Sequence, residues 1–167
     1  MSKRGEMKLS FGMIFSIIMI IIFFMFAFYA IQKFLSVQSV AQAGKFVNDL
    51  QNDVDRIWKA SEGSQKHEYF LPSKVKYVCF ADYAPPATAK GKNENFYGEL
   101  NQAYFGEENL FFYPIGSGEG FDSVNLKDVN IKKTTERNNP LCFVNIGGKI
   151  SFTLKKDFGE ALATISE

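Results

Sequence analysis

Residues 9–31 read LSFGMIFSIIMIIIFFMFAFYAI, a run of 23 positions without a charged side chain. A helix rises about 1.5 Å per residue, so this run measures about 35 Å and exceeds the roughly 30 Å hydrocarbon core of a bilayer. Fourteen of its residues are Leu, Ile or Phe, and each of these favours membrane insertion by about 0.3–0.6 kcal/mol. The run therefore predicts a transmembrane helix over residues 9–35.

A cleavable secretory signal is the main alternative, because it also joins a basic start to an apolar stretch. Its apolar region normally spans about 7–15 residues and ends in a small-x-small site. The run here is longer and is followed by Gln32, Lys33 and Phe34 rather than by small residues. These features favour a permanent anchor over a cleaved signal.

The distribution of Lys and Arg predicts the orientation of this anchor. Residues 1–8 contain three of these basic residues, whereas Lys33 is the only one in the ten residues after the run. Because the end richer in Lys and Arg stays in the cytoplasm, residues 1–8 are predicted to be a cytoplasmic basic leader. The chain after the span is then extracytoplasmic, and the protein is predicted to cross the cell membrane once.

The composition of the chain after the anchor excludes one class of partner. Residues 36–167 contain 15 Lys plus Arg and 17 Asp plus Glu. Binding to a phosphate backbone requires a basic surface, which this balance does not supply. We therefore expect no nucleic-acid partner. The length of this part suffices for one domain with its own core.

The chain has two cysteines, Cys79 and Cys142, each within an apolar stretch rich in β-branched and aromatic residues. In an extracytoplasmic domain such a pair predicts a disulfide, which would close a loop of about 64 residues and stabilise the fold by about 4 kcal/mol. Two buried thiols are the alternative. A metal site would need more ligands than these cysteines and His67, the only histidine, can supply. We predict the disulfide, no metal site and no cofactor.

Helical periodicity continues beyond the apolar run, and no proline occurs between residues 9 and 71. One helix of about 50 residues is therefore predicted, with an amphipathic part over residues 36–62. Ser61, Gly63 and Ser64 are expected to end it. Apolar residues recur in the amphipathic part at steps of three and four: Val37, Val40, Ala41, Gly44, Val47, Leu50, Val54, Ile57 and Trp58.

This apolar stripe must be covered by another apolar surface. A sheet of the same chain is one cover, and the helix of a second copy in a bundle is the other; both can apply at different positions along the helix. The face predicted to mediate self-association consists of Val40, Val47, Leu50 and Val54.

Residues 63–167 are predicted to form a small antiparallel β-rich head. Extended segments are predicted at 75–81, 110–113, 129–133, 141–146, 149–155 and 161–165. Gly147 and Gly148 separate two of these segments, and two consecutive glycines favour a type I′ hairpin turn. The predicted fold class is therefore α+β: a long N-terminal helix, first transmembrane and then amphipathic, followed by the β head.

One long segment between these strands, residues 83–102, is rich in Pro, Gly, Ala, Lys and Asn. This composition predicts an exposed loop. The loop is either a connector or, because it carries Tyr83, Phe96 and Tyr97, a contact surface for a partner.

Residues of catalytic type form no recognisable motif. Glycines 116, 118 and 120 do not have the spacing of a phosphate-binding loop, so a glycine-rich turn is predicted there. His67 has no nucleophile motif nearby and is predicted to lie on the surface. Asp49 and Asp53 share a helix face, which is typical of solvated charge. We predict no enzyme activity.

The N-terminal arrangement resembles the type IV pilin family, in particular archaeal pilin-like proteins with a class III signal peptide. The resemblance rests on a short basic leader directly before the apolar helix, with a motif formed by Lys3, Arg4, Gly5 and Glu6. It implies that a membrane peptidase cuts after Gly5, and that the helix first anchors the subunit and later packs in a filament core. The layout also resembles small single-pass membrane proteins of archaea.

Two positions depart from the pilin pattern. After cleavage, Lys8 would remain ahead of the apolar run, where burial of an unpaired ammonium in a filament core is costly. Ser10 would occupy the fifth mature position, at which bacterial pilins carry a glutamate. The sequence is therefore also compatible with a pilin-like anchor that is never cleaved.

Two functions are compatible with these features. The first is a structural subunit or minor component of a pilus-like filament or envelope complex, a homo-oligomer assembled through the N-terminal helix. The second is an anchored surface module outside any filament, which binds a ligand or a partner protein through its β head.

Overall fold

The computed structural model describes residues 11–167. The predicted leader 1–8, including the Lys3, Arg4, Gly5 and Glu6 motif, lies outside the described residues. Within them, the chain forms α1 (Phe11–Lys59), β1 (Gly63–Phe70), β2 (Tyr77–Phe80), α2 (Tyr97–Leu100), β3 (Leu110–Tyr113), β4 (Ser123–Val124), α3 (Ile131–Thr134), β5 (Leu141–Val144), β6 (Lys149–Lys156) and β7 (Thr164–Ser166). This confirms the α+β class, with a long N-terminal helix before a small antiparallel β domain.

The chain divides into two compact units. The first ends at Val37, and the second, here called the C-terminal domain, runs from Gln38 to Glu167. In the first unit α1 is long and apolar enough to cross a membrane. Every large apolar side chain between Phe11 and Ile31 is at least 44% exposed, so this part of the helix has no buried face within the single chain.

In the C-terminal domain one face of α1 is buried, at residues spaced by three or four positions: Ala43, Phe46, Leu50, Val54 and Ile57. The Lys156 side chain closes the end of the helix by donating to the carbonyls of Trp58 and Ala60, the latter at 2.9 Å. A cation at this end favours the helix because the last carbonyls have no partner within it and carry partial negative charge.

The strands form two antiparallel sheets. The first has three strands in the order β1-β6-β7, and the second has four in the order β4-β3-β2-β5. Their inner faces and the buried face of α1 enclose one main core. Phe46 of α1 lies at its centre, with its ring 5.4 Å from the ring of Tyr69 in β1 and 5.6 Å from that of Phe112 in β3, both edge to face.

Two strand predictions need correction, and one strand was not predicted. The segment 129–133 is not a strand, because Ile131–Thr134 forms a helical turn whose first amides are capped by Asn130: its side-chain oxygen accepts from the Lys133 amide at 3.1 Å. β1 was missed, since its sequence GSQKHEYF lacks the apolar alternation of a half-buried strand. The last strand begins only at Thr164.

The turn at Gly147 and Gly148 is correctly predicted, but the strands beside it do not form a regular hairpin. Both glycines have positive φ, 62° and 83°, and Ile146 and Lys149 exchange main-chain hydrogen bonds of 2.9 and 3.2 Å across the turn. Beyond this bridge β5 pairs with β2, whereas β6 pairs with β1. The turn therefore joins the two sheets, and a cleft opens between β5 and β6.

Candidate functional site

The two cysteines form the predicted disulfide. Cys79 of β2 and Cys142 of β5 are direct partners in the antiparallel register, with Cα atoms 4.0 Å apart. Cys79 is fully buried beneath the segment that follows β2. The bond therefore ties the edge strand β5 to the interior of the second sheet.

That covering segment was predicted to be an exposed loop, and this is correct for residues 84–93, most of which are exposed and outside any helix or strand. The rest of the segment differs from the prediction. Residues 94–103 form a succession of short helical turns, and the segment's three aromatic side chains are only partly exposed. The Phe96 ring stacks on Tyr113 of β3 at 4.5 Å, and the Tyr83 ring lies 4.4 Å from that of Tyr97. Burial raises the pKa of Tyr83 above its usual value of 10. These aromatic residues form a second, smaller core rather than a free contact surface.

His67 is also partly buried rather than exposed on the surface. It lies on β1 facing α1, with its Nδ1 atom 3.0 Å from Oδ2 of Asp53 and only 11% of its side chain exposed. Asp53 Oδ2 also accepts the Tyr69 hydroxyl at 2.9 Å, and Oδ1 lies 3.2 Å from the Arg56 guanidinium. The Asp53 carboxylate is therefore a structural anchor between helix and strand, whereas Asp49 pairs with Lys45 at the surface.

This polar cluster could not be deduced from sequence. His67 and Asp53 are 14 positions apart and lie on different elements, so only the packing of β1 on α1 brings them together. Burial, and then the hydrogen bond to Asp53, raise the pKa of Tyr69 well above 10. The Tyr69 phenol therefore remains a neutral donor to the carboxylate.

The glycine-rich segment is a turn, as predicted. The Asp122 carboxylate accepts the amides of Gly116 and Gly118, both at 2.9 Å. These amides are consequently already satisfied by the chain's own anion. A side chain at Gly118 would place its Cβ 2.8 Å from the backbone of Phe121, so this turn requires a glycine for close approach.

The predicted self-association face is divided between core and surface. Leu50 and Val54 are fully buried in the chain's own core, so their side chains are not accessible to a second copy. Val47 is partly buried against the same core, and Val40 is 38% exposed. At the height of Leu50 and Val54, the apolar stripe is thus covered by the sheets of the same chain.

A cleft of about 710 Å³ lies between β5 and β6 in the described C-terminal domain. Its walls come from β5, the outer surface of the first sheet, and the segment before α2: Glu68, Tyr77, Lys92, Asn93, Cys142, Phe143, Val144, Ile146, Lys149, Ile150, Ser151 and Glu167. The apolar side chains at its mouth are unusually open, with Val144 49% and Ile146 71% exposed. No sequence motif predicted this cleft, because it forms only where the two sheets separate.

Among residues 11–167, no group of three or more His, Cys, Asp or Glu is placed to hold a metal ion. No protein-family model, curated protein or solved structure matches the chain. Its function must therefore be inferred from the membrane-type helix, the disulfide-bonded domain and the cleft.

Proposed function

We propose that the protein is a single-pass, membrane-anchored cell-surface protein that serves as a pilin-like subunit, or minor component, of a filament or envelope complex. One observation carries the proposal: a single helix, α1, is apolar on all sides at its start and contributes one face of the core of a β domain at its end. Exposed apolar side chains in such number need lipid or neighbouring helices around them.

Two further features support the orientation in this proposal. The Cys79–Cys142 disulfide suits an oxidising, extracytoplasmic compartment. The excess of Lys and Arg before the apolar run keeps the N-terminus in the cytoplasm. On this topology the C-terminal domain lies outside the cell.

Intact-mass measurement of the protein from native membranes tests the processing step. Loss of residues 1–5 is the result expected for a filament subunit processed after Gly5. A full-length mass would instead assign a permanent anchor.

Disulfide crosslinking tests self-association through the helix. We expect Ile21→Cys, in the apolar part of α1, to give crosslinked multimers in native membranes. Lys66→Cys, on the exposed side of β1, is the matched control and should stay monomeric. Multimers from the control alone, or from neither variant, would contradict assembly through the helix.

The second candidate is an anchored module that binds a partner protein outside any filament. The cleft between β5 and β6 favours it, since its exposed apolar mouth at Val144 and Ile146 is a surface of the kind used for protein contacts. A full-length mass together with monomeric Ile21→Cys would favour this candidate.

A further inference from the structure

β5 lies at the edge of the second sheet, and its main-chain direction can be read from the bridge at the turn. Ile146 exchanges both main-chain hydrogen bonds with Lys149, so its amide and carbonyl point toward β6. The Asn145 amide donates to the Lys76 carbonyl at 2.8 Å, on the opposite, β2 side. Because these directions alternate along a strand, the main-chain groups of Val144 and Cys142 point into the cleft.

The same reasoning applies to β6 on the other wall. The main-chain amide and carbonyl of Lys149 point toward β5, so the main-chain groups of Ser151 and Thr153 point in the same direction. Thr153 is the register partner of Ser166, the last residue of β7. Ser151 lies between these two positions, where the described strands provide no neighbour. Within the described residues 11–167, the main-chain donors and acceptors of Cys142, Val144 and Ser151 therefore have no partner, and they point into one cleft.

The side chains around these groups indicate what kind of segment would fit. Tyr77, Val144 and Ile146 provide apolar walls. Two charges of the lining neutralise each other, because Lys149 Nζ lies 2.8 Å from Glu68 Oε1. The other two side-chain charges are one Lys and one Glu, Lys92 and Glu167. The cleft thus offers hydrogen bonds to a backbone and apolar contacts, with no net side-chain charge to select a charged ligand.

We propose that this cleft accepts an uncharged, extended segment of a partner polypeptide, which adds to β5 as a fifth strand of the second sheet. The four residues of β5 span about 13 Å, and the added segment pairs its main chain with Cys142 and Val144 while its apolar side chains contact Val144 and Ile146. Addition of a strand to a free sheet edge is a general mode of peptide recognition, in which the backbone supplies affinity and the side chains supply specificity.

A single strand suits this cleft better than the edge of a second copy. β5 is flanked along its open edge by the wall that β6 forms at Lys149, Ile150 and Ser151. In a second copy, β5 would be flanked by the same β6 wall. To pair, the β5 strands of the two copies would therefore have to pass the β6 wall of each copy. A single segment has no wall of its own, so it has to pass only the one that β6 forms.

The test uses the full chain in detergent micelles and a defined probe, the acetylated and amidated hexapeptide Thr-Val-Thr-Val-Thr-Val. Hydrogen exchange is measured at single amides by NMR. We expect the peptide to slow exchange on the order of tenfold at Cys142 and Val144, whose amides face the cleft. Phe143 is the internal reference, because its amide faces β2 and should be protected with or without the peptide.

A proline variant removes the critical donor without disturbing the sheet. Val144→Pro deletes an amide that faces the cleft, and proline is tolerated at such edge positions. Lys66→Pro is the matched control, because Lys66 lies on β1, the edge of the other sheet, and its amide faces away from β6. We expect Val144→Pro to abolish the protection of Cys142 and Lys66→Pro to preserve it, with both variants retaining the Cys79–Cys142 disulfide.

Three outcomes would overturn the proposal. The first is unchanged exchange at Cys142 and Val144 up to millimolar peptide. The second is equal protection in Val144→Pro and in the wild type. The third is protection that appears without peptide and rises with protein concentration, which would assign the edge to a second copy. These outcomes do not depend on filament formation, so they leave the proposed function to its own tests.

Discussion

Asp53 of α1 and His67 of β1 are in direct contact, with 3.0 Å between Oδ2 and Nδ1. The same carboxylate oxygen accepts the Tyr69 hydroxyl. One acidic side chain therefore holds two residues of a strand against the helix. Because β1 is otherwise rich in polar residues, this contact replaces much of the apolar patterning that normally positions a strand.

Removal of that carboxylate should destabilise the C-terminal domain. Asp53→Ala leaves the buried His67 and Tyr69 groups without a partner, which is expected to lower the free energy of unfolding by about 1–3 kcal/mol. Urea unfolding of the full chain in detergent, followed by the fluorescence of Trp58, its only tryptophan, measures this loss. Asp49→Ala is the control, since its exposed pair with Lys45 should contribute less than about 0.5 kcal/mol. Equal losses in the two variants would contradict the anchoring role of Asp53.

Alkaline pH should destabilise the domain through Tyr69. Its pKa is raised by burial and by Asp53, so the folded state keeps the proton at a pH where the unfolded state loses it. The stabilisation that the neutral Tyr69 phenol gives to the folded state is complete below pH 10. Above pH 10 it falls by about 1.4 kcal/mol per pH unit. The difference in unfolding free energy between the wild type and Tyr69→Phe should therefore be constant from pH 7 to 9 and should fall above pH 10. A difference that stays constant through pH 11.5 would show that Tyr69 ionises equally in both states.

Loss of the disulfide should lower the free energy of unfolding more than Asp53→Ala does. Cys79 and Cys142 are separated by 63 positions, and a loop of this size corresponds to about 4 kcal/mol in the chain-entropy account. The double variant Cys79→Ala/Cys142→Ala should therefore unfold at markedly lower urea concentration. Reduction of the wild type should reproduce this shift, and reductant should leave the double variant unchanged. A double variant as stable as the oxidised wild type would refute the expectation.

Close approach of two backbone segments should make Gly118 intolerant of a side chain. In Gly118→Ala the new Cβ would lie 2.8 Å from the Phe121 backbone, and the turn that Asp122 organises would have to open. We expect a loss of about 1–3 kcal/mol in unfolding free energy. Gly98→Ala is the control, because no atom lies within 4 Å of its Cβ position and alanine favours the α2 turn. Similar stabilities for the two variants would contradict this view of the turn.

Sequence patterns succeeded where the structure depends on near neighbours in the chain. The continuous helix Phe11–Lys59 follows from apolar periodicity without an interrupting proline. The strand Leu110–Tyr113 was predicted with its correct bounds. The turn at Gly147 and Gly148 follows from the positive φ that two central residues of such a turn require.

The same patterns failed where a residue's surroundings come from distant parts of the chain. His67 was predicted to lie on the surface because no nucleophile motif is nearby, yet its side chain is only 11% exposed and contacts Asp53 of α1. The stripe that contains Leu50 and Val54 was predicted to be covered by a sheet of the same chain or by a second copy, and only the tertiary structure shows that the two sheets bury both residues. Most of residues 83–102 are exposed, as their composition predicts, but their aromatic side chains pack on the second sheet around Tyr113.

The sequence by itself determined the long helix, the apolar run capable of crossing a membrane, the cysteine pair and the glycine turn. Each of these depends on hydrogen bonds, dihedral angles or apolar length within a short segment of chain. Only the tertiary structure decided that β5 and β6 enter different sheets, that Asp53 meets His67, and that a cleft separates Val144 from Ser151. These features arise from contacts between residues far apart in sequence, whose energies depend on which surfaces meet and not on any local pattern.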